Sequence, residues 1–296
     1  HVVVGQMGSI KNIVRCVREA GLEMEALTLE PLASSDAVLT QEEKEAGVAI
    51  VDIGGGTTDI AVFKDNIIRH TCVIPYGGGI VTDDIKEGCS IIEKHAEQLK
   101  VKFGSAVPDL EKDSTFVTIP GLHGRPDKEI SLKSLASIIN ARMEEILEMV
   151  NTELKAYGAH DQKKKLIAGL VLTGGGSNLK NLRQLANYII GFDSRIGFAN
   201  EHIVNDKNQY LKSPEYATSI GLLMESLKIN ERKPKEEEIP QPVQEKEEEL
   251  SLKITTKPEV EEKTIESEEK EISENSKKTF GQKFWAQVRS FFEEAE

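Results

Sequence analysis

Cysteine, tryptophan and strong positive charge are all scarce in this chain, and each scarcity excludes something. Three cysteines occur in 296 residues. Cys16, Cys72 and Cys89 lie far apart with no metal-ligand spacing, which excludes a disulfide scaffold or a zinc module and fits reduced thiols. No apolar run reaches the ~18 residues that cross a bilayer, and no signal-peptide pattern opens the chain. Lysine and arginine number 37 against 50 aspartates and glutamates, a net charge of −13. With no basic cluster in the apolar-rich part, nucleic acid is excluded as the expected partner. Aromatic residues make up only 5% of the chain, and where they gather becomes informative below.

The charge is unevenly placed. Residues 231–276 hold 16 acidic and 8 basic side chains, with almost no aromatics and with Pro234, Pro240, Pro242 and Pro258. Such a stretch cannot bury enough apolar surface to offset its ordering entropy, so a disordered acidic linker is expected, and the prolines argue against a solvated single helix. The rest is long enough for a sizeable core. The first residue is His1, followed at once by the strand-like Val2-Val3-Val4, and a piece of a longer protein is expected.

Two glycine triplets carry the chemistry. The run Val48-Ala49-Ile50-Val51 leads into Asp52-Ile53-Gly54-Gly55-Gly56-Thr57-Thr58-Asp59. That pattern predicts a buried strand ending in a tight turn. Glycines admit a ligand close to the backbone, and successive N–H groups in such a turn form a concave anion site. The hydroxyls of Thr57 and Thr58 suit phosphate oxygens, and Asp52 and Asp59 suit a hydrated Mg²⁺, which takes few carboxylates and keeps its waters. The same logic recurs at Val171-Leu172-Thr173-Gly174-Gly175-Gly176-Ser177-Asn178, where Ser177 or Asn178 is expected to cap a helix with Leu179, Leu182, Leu185, Ala186 and Ile189 on its apolar face. Neither triplet fits the Walker or dinucleotide-binding spacings. Taken singly each is an ordinary glycine turn; together they predict a nucleotide held between two loops.

The coarse reading is of helices at 11–21, from Pro31, at 81–88 (capped near Thr82), 91–102 and 132–157. Strands are expected at 27–29, 48–53, 60–63, 66–69, 71–75, 114–119 and 170–172, with Asp65-Asn66 as a hairpin turn. Strand–loop–strand and strand–loop–helix units give an α/β domain with a mixed sheet.

The two triplets, in this order, resemble the phosphate and adenosine loops of the actin-like ATPase superfamily. Further segments narrow the resemblance. They are residues 29–39, similar to a first connecting helix, and 216–223, similar to a second; residues 69–78; Ala96-Glu97-Gln98-Leu99-Lys100; and Gly124-Arg125-Pro126 followed by residues 138–142. These look like the FtsA family of bacterial cell-division proteins, from about residue 1 to 228 and again at the C-terminal tip. The resemblance implies an α/β, actin-like (ribonuclease H-like) ATPase fold. It is expected to be incomplete, because the family's first phosphate loop and subdomain IC would precede His1. It implies residues 1–47 as the end of subdomain IA, 48–93 and 166–228 as IIA, and 94–165 as IIB. A disordered linker at 229–276 and an amphipathic helix at 277–296 follow.

For the site, the resemblance implies ATP and Mg²⁺ as cofactors. Gly54, Gly55, Gly56, Thr57, Thr58 and Asp59 would clasp the phosphates, with Gly78 adding a further turn. Gly174, Gly175, Gly176, Ser177 and Asn178 would line the adenosine. Glu97 and Lys100 resemble a pair that embraces adenine and ribose; a surface i,i+3 ion pair is the alternative. Asp52 and Glu30 sit where related ATPases orient the attacking water, although a helix-start carboxylate is an equally ordinary role for Glu30. With one wall of the cleft upstream of His1, weak or no ATPase turnover is expected of this chain alone.

Five of the chain's fifteen aromatics sit in its last turns. Phe280, Phe284, Trp285, Val288, Phe291 and Phe292 fall on one helical face, with Lys277, Lys278, Lys283 and Arg289 around them. A basic, aromatic amphipathic helix on a tether is expected to lie on an anionic membrane surface; docking in a protein groove is the alternative. The resemblance implies a peripheral adaptor at the cytoplasmic face of the membrane, at the division site, that self-associates into filaments and holds the FtsZ C-terminal tail on IIB. Arg142 falls at a matching position for that tail, or is a core-edge arginine. The other readings are a small-molecule kinase or a chaperone-type ATPase of the same superfamily. Neither needs a tethered aromatic helix.

Overall fold

In the computed structural model, the described residues are 5–121, 124, 126–162, 164–199, 211 and 213–232. The acidic stretch and the aromatic tail, with Phe280, Phe284, Trp285, Val288, Phe291, Phe292, Lys278, Lys283 and Arg289, lie outside them.

The apolar run before the first glycine triplet forms β1 (Val48–Ile53), every residue of it buried. It is central because it pairs on both sides. One neighbour is the antiparallel β2 (Thr58–Lys64); the other is the parallel β6 (Gly169–Thr173) that leads to the second triplet. With β3 (Ile67–Ile74) outside β2 and β7 (Ser194–Ile196) outside β6, the sheet order is β3-β2-β1-β6-β7. Asp65 and Asn66 both take left-handed φ, 56° and 59°, as a two-residue hairpin requires. Two short strands expected at 66–69 and 71–75 are one continuous β3, because a bulge opposite Val62 and Phe63 keeps the pairing going. No strand forms at 27–29, where the chain is irregular and Leu27 and Leu29 are exposed.

Strand alternation sends the two faces of β1 into different cores. Ala49, Val51 and Ile53 face the larger core, built with α4 (Gly78–Cys89), α5 (Glu93–Phe103), α6 (Leu132–Tyr157) and α7 (Leu182–Ile190). The long α6 lays Leu135, Ile139, Met143, Ile146, Leu147, Val150 and Leu154 into it, all fully buried. That core runs unbroken from the sheet across α4 and α5 to the separate hairpin of β4 (Phe116–Ile119) and β5 (Lys128–Ser131). Val48 and Ile50 face the smaller core under α2 (Glu30–Val38) and α8 (Ala217–Arg232).

Those two helices touch closely. A Cβ on Gly221 of α8 would lie 1.9 Å from the Ala33 carbonyl oxygen of α2, so only glycine allows the crossing. After α2 a capping box at Thr40 and Glu43 starts the short α3 (Gln41–Ala46). Arg195 of β7 then clamps this corner, donating to both carboxylate oxygens of Glu43 at 2.7 Å and to the Val38 carbonyl at 2.8 Å. At the N-terminus, α1 (Met7–Glu19) buries no residue, and it ends with Gly21 at φ 76° as the expected glycine cap.

Candidate functional site

Strand register brings the two aspartates of the first triplet together. Asp52 and Asp59 are direct cross-strand partners on β1 and β2. By alternation both face α2 and α8, and both are nearly buried, at 4% and 5% exposure. Glu30 opens α2 beside them. Desolvation raises its pKa, and the charges of Asp59 and Asp52 raise it further. Burial also raises Asp52, against the hydrogen bonds it accepts from Ser34 and Thr218, and raises Asp59 against the bond from Thr57. Three carboxylates that resist ionisation together are a setting that a cation relieves. Among the described residues no set of three His, Cys, Asp or Glu side chains forms a metal cage. A few carboxylates at the end of a turn are a donor set that fits a cation keeping most of its water shell.

The turn itself is closed by Gly54 N–H donating to the Thr57 carbonyl at 2.9 Å. Its back rests on α4: Gly78 and Gly79 N–H donate to the carbonyls of Gly54 and Gly55 at 2.8 and 2.7 Å. Gly77 must be glycine, since a Cβ there would come within 2.5 Å of the Gly54 oxygen. Gly55 and Gly56 are different. Neither has a positive φ, and a Cβ on either would meet nothing within 4 Å. Among the described residues nothing accepts from their N–H groups. Internal packing gives no reason for these two glycines.

The second triplet lies against the first. Gly174, at φ 80°, puts its Cα so close to Asp52 that a Cβ would stand 2.3 Å from Oδ1, and a Cβ on Gly176 would stand 2.4 Å from Ile53 Cγ2. A cleft of about 230 Å³ opens between the turns. Gly54, Gly55 and Gly78 line one side, Gly175, Gly176 and Asn178 another, and Glu97 and Lys100 of α5 a third.

Several side chains expected to face a ligand are engaged inside the protein. Thr58 sits on the opposite face of β2 from Asp59, fully buried, and its hydroxyl donates to the Tyr76 carbonyl at 2.8 Å. Ser177 donates to the Gly174 carbonyl at 2.7 Å and caps no helix. Residues 175–178 form a 3₁₀ turn instead, and α7 begins later, at Leu182 after Asn181 in left-handed φ. Thr82 likewise lies within α4 rather than at its start, whose N-cap is Gly77. Lys100 donates to the Gly78 carbonyl at 2.7 Å and to Thr82 Oγ1 at 2.7 Å, and stands 2.8 Å from Glu97 Oε2. Its three N–H bonds are all accounted for, so it braces α5 against the start of α4. Glu97 takes both Lys100 and Thr82 on Oε2. Burial pushes its pKa up, but the bonds from Lys100 and Thr82 outweigh this and hold it ionised. Arg142 donates from Nε and Nη2 to both oxygens of Asp84, at 2.6 and 3.0 Å, and also bonds Glu145. It straps α6 to α4.

Two hydroxyls absent from the expected set complete the site. Ser34 of α2 and Thr218 of α8 both reach Asp52. Each lies in a segment read as a connecting helix, but nothing in the local pattern marks either hydroxyl.

Comparison with known proteins follows the same lines. The FtsA of Neisseria meningitidis serogroup B is 38% identical over 237 residues, covering 80% of this chain and 56% of that protein. The FtsA of Pseudomonas aeruginosa is 39% identical over 227 residues, covering 77% of this chain and 53% of that protein. The chain thus spans about half the length of the curated relatives it matches. Among solved structures, MreB5 of Spiroplasma citri bound to ADP superposes with a TM-score of 0.63 at 20% identity. That match covers 78% of this chain and 69% of that one, and it shows an actin-like fold. Residues 49–221, more than half of the chain, match the family described as "Cell division protein FtsA", and the chain belongs to that family.

Proposed function

We propose that this chain binds ATP with Mg²⁺ in the cleft between the two glycine turns, as the nucleotide-holding part of an FtsA-type adaptor. The observation that carries the reading is the pair Gly55 and Gly56, whose amides are unused and whose missing side chains leave room that nothing in the described residues fills. The phosphates would rest on those amides and the Thr57 hydroxyl. The base and ribose would lie between Glu97 and the turn at residues 174–178. Magnesium, when bound, would offset phosphate charge, with Asp52, Asp59 and Glu30 accepting from its waters. Phosphoryl transfer in such sites needs positioning and electrostatic stabilisation rather than a covalent intermediate. Here Asp52 and Glu30 would orient water at the end of the phosphates. The ADP carried by the MreB5 structure supports a nucleotide in this fold.

Equilibrium titration with a fluorescent ATP analogue tests the reading. Saturable, magnesium-enhanced binding that unlabelled ATP displaces is the expected result; no binding at millimolar nucleotide would sink it.

Beyond the cleft, family membership supports a cell-division role. The finer proposal is self-association, peripheral attachment to anionic membrane through residues 277–296, and capture of the FtsZ C-terminal tail on the part built from residues 94–165. Residues 1–47 would end subdomain IA, 48–93 with 166–228 would form IIA, and 229–276 would be the tether. No helix of the described residues is long and apolar enough to cross a membrane. A partner carboxylate that used Arg142 would share a guanidinium that already spends three of its five N–H groups on Asp84 and Glu145. Co-sedimentation with anionic vesicles, with and without residues 277–296, tests the membrane step. Pelleting that survives the truncation would refute it.

A further inference from the structure

Asp52 is held from above by two helices that are far apart in sequence. Ser34 of α2 is fully buried and donates to Asp52 Oδ2 at 2.6 Å. Thr218 of α8 lies 3.3 Å from the same oxygen and 2.9 Å from the Ser34 hydroxyl. The two hydroxyls carry two protons for three contacts. The shortest contact takes the Ser34 proton, as expected for a hydroxyl on a carboxylate. The Thr218 proton is left to serve Ser34 or Asp52, so Thr218 acts in large part through Ser34. Both hydroxyls meet where α2 and α8 cross, one residue beyond Ala33, whose carbonyl is in contact with Gly221. Among the described residues no hydrogen bond reaches Asp52 Oδ1, which lies against Gly174 at the lip of the second turn.

We propose that Ser34 and Thr218 are positioning residues for Asp52. They anchor Oδ2 to the helix crossing, so that the carboxylate cannot turn and Oδ1 alone is presented between the two glycine turns. Without them a buried carboxylate beside Asp59 would be free to rotate away from its like-charged neighbour. This rests on the nucleotide reading above and adds to it a dependence on two hydroxyls from outside the glycine motifs. Groups that orient a carboxylate behind a cation typically matter nearly as much as the carboxylate itself.

The experiment uses the 296-residue chain and measures affinity for ATP with Mg²⁺ and, separately, with EDTA. Ser34→Ala is expected to weaken binding in Mg²⁺ by about 10-fold while leaving the EDTA value within about twofold. Thr218→Val, which keeps shape and loses the hydroxyl, is expected to weaken it by about threefold, and Thr218→Ser to restore it. Far-UV circular dichroism and urea unfolding accompany each variant, and Thr218→Val keeps the test open should Ser34→Ala not fold. Equal losses with and without Mg²⁺, no loss in either folded variant, or failure of Thr218→Ser to restore binding would each overturn the positioning role. If the wild-type chain binds no ATP, the nucleotide reading fails and this proposal falls with it; if wild type binds and both variants bind as it does, only this proposal falls.

Discussion

The ammonium of Lys100 stands 2.8 Å from the Glu97 carboxylate one helical turn back, and the same ammonium holds the Gly78 carbonyl at 2.7 Å. This one cation joins the wall of the cleft to the start of α4. Lys100→Met would remove the ammonium from Glu97, from the Thr82 hydroxyl and from the Gly78 carbonyl, which still accepts from Thr82 Oγ1 at 3.2 Å, so a loss of about 1–3 kcal/mol in stability is expected. Nucleotide affinity should fall as Glu97 loses its brace. Urea unfolding and ATP titration measure both. Weakened binding with unchanged stability would instead mean that Lys100 touches the ligand directly.

Glycines around the cleft separate into two kinds. Gly56→Ala adds a methyl group into open space at an ordinary φ. Stability is expected to change by less than about 1 kcal/mol, while ATP affinity drops sharply. Gly77→Ala drives a Cβ to 2.5 Å from the Gly54 oxygen. It should destabilise the fold itself, by about 1–3 kcal/mol or more. Thermal melts with and without nucleotide distinguish the two; similar melting for both variants would refute the distinction.

Glu43 offers a pH test away from the cleft. Burial pushes its pKa up, but the Arg195 fork and the Thr40 N–H outweigh that and hold it below its ordinary 4.5. A carboxylate with a depressed folded-state pKa adds stability that is fully present above the unfolded value and is lost as pH falls through the folded one. Arg195→Met should therefore cost about 1.5–3 kcal/mol at neutral pH. The gap to wild type should shrink below about pH 4.5. Urea midpoints from about pH 3 to about pH 7, a range that brackets ordinary carboxylate titration, would show it; a gap that stays constant with pH would count against the ion pair.

The three thiols should react in a fixed order. Cys16 is exposed on α1, and Cys89 is buried. Burial, with Glu153 beside it, pushes Cys72 up to about 11. Thiolate is the reactive form, so at neutral pH alkylation is expected at Cys16 first and at Cys72 and Cys89 only on unfolding. Mass spectrometry of peptides after a short iodoacetamide pulse reads the order; early labelling of Cys72 would contradict it.

How much of this could be read from sequence depends on how local each cause is. The bounds of β1 and α6 emerged directly, because a four-residue apolar run ahead of a glycine turn and a 26-residue periodic stripe are strong signals confined to their own segments. Pro31 likewise marked the start of α2. β5 was not expected: Lys128–Ser131 buries only Ile130, and it is extended because β4 lies beside it. The cleft's glycines were legible as a pair of turns. Thr58 reads as a turn residue suited to the ligand because the strand is expected from residue 60; β2 in fact starts at Thr58, and alternation puts its side chain opposite to that of Asp59. The pairing of Asp52 with Asp59 required the register, and the meeting of Ser34 with Thr218 required two segments 184 residues apart to cross. No local pattern reports contacts of that kind.

The close approaches at Gly77, Gly174, Gly176 and Gly221 have a bearing on how this protein can vary over generations. Each of these positions already holds the smallest side chain there is, so every missense change adds atoms where a neighbour stands within 2.6 Å. Drift at such codons has one direction, toward a worse fit, and no compensating trim is available at the residue itself. Recovery would have to come from the neighbours: from backbone shifts beside Gly77 and Gly221, and from the Asp52 and Ile53 side chains or the strand that carries them beside Gly174 and Gly176. The corridor between the two turns is therefore expected to be far less permissive of inherited change than the exposed outer face of α1.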